Sequence, residues 1–463
     1  MTDAKTPVAL KDLKRALGDR LDTSDDARID HARDACHHAP HSPDVVVYPE
    51  TNAEVAEIVQ ICARHQTPII PFGTGTGVEG GVVAVHGGVC IDLRRMDKIL
   101  RVSPADMDAT VQAGVTRMQL NRHLGELDSG LFFPVDPGAD ASLGGMSATC
   151  ASGSSAVRYG TMRENVLGLT AVLADGRIVH TGGRARKSSS GYDLTRLLVG
   201  SEGTLGIITE VTLKIAALPE AISAAVCGFE NIESAVDAVI AILQANVPMA
   251  KIELLDEVQM GAVNSYSGLT YSETPTLFFE FHGTEASVRE NAERAGDITQ
   301  QFGGREFEWA SARSERDRLW KARYDSYYAS LALRKGAVGY VTDVCVPISE
   351  LAACIRWTRK ELESTKIPAP LFGHVGDGNY HVVFAIEPGN ASELAEVQNL
   401  NDRIVTIALE RGGTASGEHG IGLGKLDALR REHGDAVDVM RAIKDALDPM
   451  GILNPGKVLK RID

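Results

Sequence analysis

The sequence predicts an α+β protein of more than one domain, and three observations lead there. Short apolar runs of strand length alternate with helical periodicities along 463 residues. Glycine, 46 residues in all, gathers in three stretches of the first half, and the pattern changes character near Leu218-Pro219. At about 100 to 200 residues per domain the length fits two or three domains. A composition of 44% hydrophobic and 24% charged residues excludes disorder, collagen and coiled coil. A net charge of −15 would repel a phosphate backbone, so nucleic acid is not an expected partner. No run approaches the roughly 18 apolar residues of a membrane span. The start, Met1-Thr2-Asp3-Ala4-Lys5, leads into charge without an apolar signal core, so a cytoplasmic location is expected. Seven scattered cysteines with no C-x-x-C fit reduced thiols and argue against a thiolate-held cluster or zinc.

The elements follow in order. Residues 1–42 read as a helical N-terminal extension, an appendage ending in His37-His38-Ala39-Pro40-His41, which reads as a solvated loop rather than a metal tract. Residues 43–218 form a strand-rich domain. Val45 to Tyr48 is a strand; Thr51 and Glu54 make a capping box before a helix whose apolar positions are 55, 58, 59 and 62; Pro68 to Pro71 is the next strand. Asp175-Gly176 between two apolar runs predicts a two-residue hairpin. Residues 219–411 alternate strand (221–229), helix (231–245), strand (250–255), helix, strand (276–282), helix (285–301) and strand (305–309). That is the order of a ferredoxin-like antiparallel sheet, which a further series from about 338 could extend. Residues 412–463 are a C-terminal helical segment with a turn-rich tail, Asn454-Pro455-Gly456-Lys457, that completes the active site and the first domain.

The glycine stretches carry the first chemistry. Pro71-Phe72-Gly73-Thr74-Gly75-Thr76-Gly77 follows a strand, and Gly75, Gly77 and Gly80 match G-x-G-x-x-G. The dinucleotide fingerprint nevertheless fails on context, because strand and turn follow where a helix is required. What remains is a loop whose N–H groups can approach a pyrophosphate; a glycine-rich turn without a ligand is the bland alternative. A second small-residue cradle runs from Pro137-Gly138 through Ser142, Gly144 and Gly145 to Ser152, Ser154, Ala156 and Tyr159. A third, Glu202-Gly203 to Gly206 and Ile208, can bond an adenine or ring edge by main chain. Several such cradles in one domain imply an extended ligand.

The histidines carry the second. In Gly373-His374-Val375-Gly376-Asp377-Gly378-Asn379-Tyr380-His381, a two-residue turn at Asp377-Gly378 would set His374 directly opposite His381, close enough to share an ion. Two core or exposed histidines are the bland reading. Glu418, in Ser416-Gly417-Glu418-His419-Gly420, can be the third ligand, and a His2Glu set suits Zn or Mn without choosing between them.

These segments, with Tyr159-Gly160-Thr161-Met162-Arg163-Glu164-Asn165-Val166, resemble the FAD-binding (PCMH-type) domain of the vanillyl-alcohol oxidase and p-cresol methylhydroxylase type, over nearly the whole chain. Within that type the chain looks most like the D-lactate dehydrogenase (acceptor) branch, beside the glycolate oxidase flavin subunit and D-2-hydroxyglutarate dehydrogenase. The resemblance implies noncovalent FAD, with Gly73 to Gly77 at the pyrophosphate and Pro137, Gly138, Ser142, Gly145, Ser152, Ala156 and Ile208 along the flavin. Pro71, Thr74, Thr76, Gly144, Ser154, Tyr159, Glu202, Gly203, Gly206 and Asn454 complete the expected cofactor set. It further implies that His374, His381 and Glu418 bind the metal, that His419 is the catalytic base, and that Arg323, on the helix around Trp320, clamps the substrate carboxylate. A lysine that reaches a second carboxylate in D-2-hydroxyglutarate dehydrogenases is replaced here by Val341, which puts a dicarboxylic substrate in doubt. The expected activity is oxidation of D-lactate or a similar short D-2-hydroxy acid, with electrons passed to a quinone or cytochrome and a homodimer as the expected assembly. A His2Glu metallohydrolase is the rival of another class; it leaves the glycine cradles unexplained.

Overall fold

The computed structural model describes residues 6–460 and contains two compact units. The first comprises Met1–Ser152, Gly160–Leu218 and Glu418–Asp463; the second comprises Gly153–Tyr159 and Pro219–Gly417. The chain thus returns to the first unit at Glu418 rather than at 412, and the short excursion Gly153–Tyr159 belongs to the second. Neither feature changes the composition enough to be read from it. Residues 1–5, on which the expected location partly rested, lie outside the described residues.

In the first unit a four-stranded sheet runs Leu21–Asp22, Val45–Val47, Val89–Asp92, Ile69–Phe72, parallel except for its first pairing. Its strands are buried on both faces, which is why Val45-Val46-Val47 and Val89-Cys90-Ile91 read as continuous apolar runs. The helix Asn52–His65 turns Val55, Ile58, Val59 and Cys62 inward, the predicted face. Thr51 caps it by accepting the Glu54 N–H at 3.2 Å, but the Glu54 carboxylate is drawn to Arg20 at 2.6 and 2.7 Å, so only half of the capping box forms. A five-stranded antiparallel sheet follows in the order Ile99–Ser103, Asp108–Gln112, Ile207–Lys214, Val166–Val172, Ile178–Gly182. The predicted hairpin joins its last two strands, with a different turn. Val172 pairs with Ile178 and the Leu173 N–H donates to the Arg177 carbonyl, so the loop is Ala174-Asp175-Gly176, three residues closed by a left-handed glycine.

The N-terminal extension is not an appendage. The helix Thr6–Leu17 buries Ala9, Leu13 and Leu17 in the same core as Val55 and Ile58, and Leu21–Asp22 extends the sheet. Beyond the short helix Asp25–Asp30 the chain bends instead of continuing as helix. His37 and His38 are half-buried with ring centroids 4.2 Å apart, not solvated, and burial pulls His37 down to about 4.

The second unit is built on one antiparallel sheet: Arg305–Ala310, Ala221–Gly228, Thr276–Gly283, Lys251–Leu255, Leu371–Gly373, Asn379–Ile386, Val338–Val341, with Val344–Cys345 also pairing to Asn379–Ile386. The first four strands stand in the ferredoxin-like order fourth, first, third, second, and the later series extends that sheet as expected. The helices Ile232–Gln244 and Glu285–Gln301 pack together on one face. On the other, Leu255, Phe278 and Phe372 pack with Met260, Leu319, Trp320 and Ala329, residues of the helices Glu257–Ser267, Arg313–Tyr324 and Ser326–Ala332. Alternation along a strand places Glu253 on the face of Leu255, beneath these helices.

Candidate active site

In the first unit the glycine stretches converge on one cleft of about 250 Å³. Its wall includes Pro71, Gly73, Thr74, Gly75, Thr76, Gly77, Pro137, Ser142, Gly144, Gly145, Ser152, Glu202, Gly203, Gly206, Ile208 and Asn454. The loops meet because glycine lets them: a Cβ on Gly73 would stand 2.4 Å from the Ser142 hydroxyl. Among the described residues, the N–H groups of Thr74, Gly75 and Thr76 donate to no protein acceptor. Such a run of main-chain donors facing a cleft is what an anionic group requires. Asn454 donates from Nδ2 to the carbonyls of Gly81 (3.0 Å) and Glu202 (2.8 Å), and its Oδ1 is buried on the same wall with no partner among the described residues. Loop donors and an unmatched acceptor together fit a long polar cofactor.

Gly138 is not on this wall, although Pro137 and Ala139 are. Ser154, Ala156 and Tyr159 do not line it either. They belong to the second unit, where the short helix Ala156–Tyr159 packs on the strand Lys251–Leu255 and the Tyr159 hydroxyl bonds His282 Nδ1 at 2.7 Å. Glu202 lines the cleft, but its carboxylate accepts the N–H groups of Ile421 (2.7 Å) and Gly422 (2.9 Å). Burial pushes that carboxyl up in pKa, against the pull of these two donors.

Those two bonds fix the loop that carries Glu418 and His419, and both residues line the cleft. Adjacent side chains on extended backbone point to opposite sides, so a turn is needed, and Gly420 makes it at φ +85°. His419 Nε2 stands 3.8 Å from Glu418 Oε1, and its Nδ1 stands 3.9 Å from Glu79 Oε1. Glu79, which the sequence reading passed over, also pairs with Lys425 at 3.1 Å.

The second unit brings His374, His381 and Arg323 together. His374 and His381 have ring centroids 5.6 Å apart at 84°. The register is not the predicted one: His381 pairs with Phe372, and His374 lies beyond the strand end in a wider turn whose Asp377 and Gly378 N–H groups donate to the carbonyls of His374 and Val375. The slip is by two residues, and the turn still brings the two rings together. His374 Nδ1 bonds Glu253 Oε1 at 2.6 Å, and His381 Nδ1 bonds the Thr342 carbonyl at 3.0 Å. With Nδ1 as the donor in both rings, Nε2 carries the lone pair in both, which is how metal-ligating histidines are held. Asp343 braces the neighbourhood, accepting from Asn379 Nδ2 and from the Ser416 hydroxyl, each at 2.9 Å.

Arg323 is largely covered rather than a surface charge. Its Nε donates to Glu253 Oε2 at 2.7 Å and its guanidinium lies 5.0 Å over the Phe372 ring, while its Nη groups have no partner among the described residues. Burial alone would push the Glu253 carboxyl up in pKa; its interactions with His374 and Arg323 hold it below the usual carboxylate value. Glu253 was not among the expected site residues. The available signal was a carboxylate inside the apolar strand Lys251–Leu255, where an unpaired charge could not be kept.

Two families match the chain, an FAD binding domain over residues 43–182 and the C-terminal domain of FAD linked oxidases over residues 218–458. The chain belongs to the FAD-linked oxidases, the type its glycine stretches resembled, and its first unit is the FAD-binding one. It is 52% identical over 437 residues to the probable mitochondrial D-lactate dehydrogenase of Danio rerio, covering 94% of this chain and 88% of that protein. It is 43% identical to the mitochondrial D-lactate dehydrogenase (cytochrome) of Arabidopsis thaliana (97% and 80% covered) and 34% identical to the glycolate oxidase subunit GlcD of Bacillus subtilis (97% and 97%). The fold is shared with a p-cresol methylhydroxylase structure at 17% identity, TM-score 0.83, over 99% of this chain and 97% of that one. Among the described residues no helix is long and apolar enough to cross a membrane.

Proposed function

We propose that this FAD-linked oxidase is a metal-assisted dehydrogenase that oxidises D-lactate to its 2-oxo acid and passes the electrons to a cytochrome. The observation that carries the reading is that Glu418 and His419, a carboxylate and an imidazole, line the cleft suited to FAD. The names of the relatives from Danio rerio and Arabidopsis thaliana support the substrate, and the second of them supports the acceptor. When bound, FAD supplies a hydride acceptor and a divalent metal, Zn or Mn, supplies a Lewis acid toward the hydroxyl oxygen. The metal is assigned to His374 and His381, whose Nδ1 bonds fit ligation through Nε2, with Glu418 as the third ligand on the sequence reading.

The chain's own residues supply the rest. Arg323 is anchored by its Nε, so its two Nη groups can take the substrate carboxylate as a planar fork. His419 takes the hydroxyl proton: a neutral imidazole titrates near the operating pH, whereas a carboxylate committed to a cation is a poor base. The test is anaerobic addition of D-lactate to the purified flavoprotein. Bleaching of the flavin followed by reoxidation with ferricytochrome c supports the reading; bleaching by glycolate or D-2-hydroxyglutarate but not by D-lactate overturns the substrate.

A further inference from the structure

Among the buried carboxylates of the second unit that the reaction as proposed does not use, Glu253 touches two of the groups that the reaction does use. Glu253 is wholly buried, on the strand Lys251–Leu255, and its two oxygens are divided: Oε2 accepts from Arg323 Nε at 2.7 Å and Oε1 accepts from His374 Nδ1 at 2.6 Å. Its partners come from a helix and from a hairpin turn far apart in the chain, so a single side chain sets the position of both. A buried carboxylate is retained only when its charge is matched, and here both matching groups are residues assigned to substrate and metal.

We propose that Glu253 is a positioning residue that joins the carboxylate clamp to the metal site, fixing the Arg323 fork and the His374 tautomer together. The proposal rests on the assignment of Arg323 and His374 made above. The chemistry is specific to a carboxylate. Both partners are donors, and a carboxylate can accept from two donors at once. Glutamine has one acceptor oxygen, so its NH2 would face either Arg323 Nε–H or His374 Nδ1–H, donor against donor. In the second case the imidazole is driven to the tautomer whose Nε2 carries the proton, which cannot bind a cation. In the first the guanidinium turns away from its anchored orientation. One substitution should therefore disturb two distinct functions, metal affinity and substrate KM, and leave the FAD unit untouched.

The experiment uses the full-length holoprotein and Glu253→Gln, with FAD content and the melting curve as folding controls. Zn²⁺ and Mn²⁺ affinity is measured by chelator competition, and D-lactate kinetics are measured with metal at saturation. The expected result is metal affinity about 10- to 100-fold weaker, the usual scale for losing such a partner of a ligating histidine. With saturating metal, kcat should recover while KM stays raised, since metal can restore the tautomer but not the clamp. A purely structural role would lower stability without this split. Glu253→Asp is the second variant, for use if the glutamine protein does not fold: it keeps the charge but is one methylene too short for both partners, and it should show the same split at smaller amplitude. Wild-type metal affinity together with wild-type KM in either folded variant overturns the proposal. The underlying assignment is checked separately with wild type and His374→Ala: if wild type holds no metal, or His374→Ala keeps it fully, that assignment falls, whatever Glu253 does.

Discussion

The two units solve recognition in opposite ways. The FAD unit presents backbone: three loops brought close by glycine, N–H groups with no protein acceptor among the described residues, and side chains that mostly stay out of the way. The second unit presents side chains: the buried Glu253 carboxylate holds the Arg323 guanidinium at 2.7 Å and the His374 imidazole at 2.6 Å, and the Thr342 carbonyl holds His381 at 3.0 Å. Backbone recognition tolerates variation in everything except size, so its signature is local and dense in glycine. Side-chain recognition requires a matched partner for each charge, and those partners come from distant strands and helices.

That contrast can be broken or sharpened by substitution. The largest effect is expected at His419, the proposed base, which lies in the first unit. His419→Ala should slow flavin reduction by D-lactate at least about 10²-fold while FAD and metal stay bound, measured by anaerobic stopped flow. A wild-type rate would return the base to the side-chain unit and blur the division. Next comes Gly75→Val, at φ +67° with its Cβ position 2.9 Å from Phe72 Cζ. A β-branched residue there costs about 1–2 kcal/mol in backbone conformation alone, enough to weaken FAD affinity roughly tenfold and so lower its occupancy. Metal content should not change, and loss of metal with normal flavin would contradict the separation of roles.

Arg323→Lys is the mirror test. A two-pronged clamp becomes a point charge, so KM for D-lactate should rise several-fold with flavin content unaltered, read from steady-state kinetics. Unchanged kinetics would remove Arg323 from the substrate. The smallest effect is on stability, at Asp256, the buried cap of the helix Glu257–Ser267, whose carboxyl is raised by burial to about 6, against the bonds it accepts from the Gln259 and Leu371 side. The folded protein then binds the extra proton between pH 3.8 and about 6, so stability falls as pH rises through that window and the cost persists above it. Asp256→Asn keeps the cap without the buried charge and should raise Tm by a few degrees at pH 7, on the order of 1–2 kcal/mol, with little change at pH 4. Equal shifts at both pH values would show that its charge is not what burial acts on.

Much of this was legible along the chain. The strands and helices of residues 221–310 follow from periodicity almost element for element, and the cradles at Gly73 to Gly77 and Ser142 to Gly145 follow from glycine density, because local backbone demands leave local marks. The turn chemistry was read less well. Asp175-Gly176 and Asp377-Gly378 both mark hairpins, but the loops are wider than two residues; the same dipeptide serves several turns, and the pairing of the flanking strands selects among them. That His374 and His381 still meet is the work of the turn, since His374 lies beyond the strand end.

From the sequence alone came the class of fold, the glycine-rich loops of the FAD-binding domain, and the residue types able to hold an ion, an acid and a proton. Tertiary structure alone decided that Ala9, Leu13, Leu17 and Leu21 belong to the core of the first unit, that Gly153–Tyr159 leaves it for the second, and that Glu202 holds the Ile421-Gly422 loop. It alone decided that Glu253 stands between Arg323 and His374. The physical reason is one of range. Periodicity, glycine density and turn residues act over a few neighbours, whereas the pairing of a buried charge depends on which distant strands the sheet brings side by side.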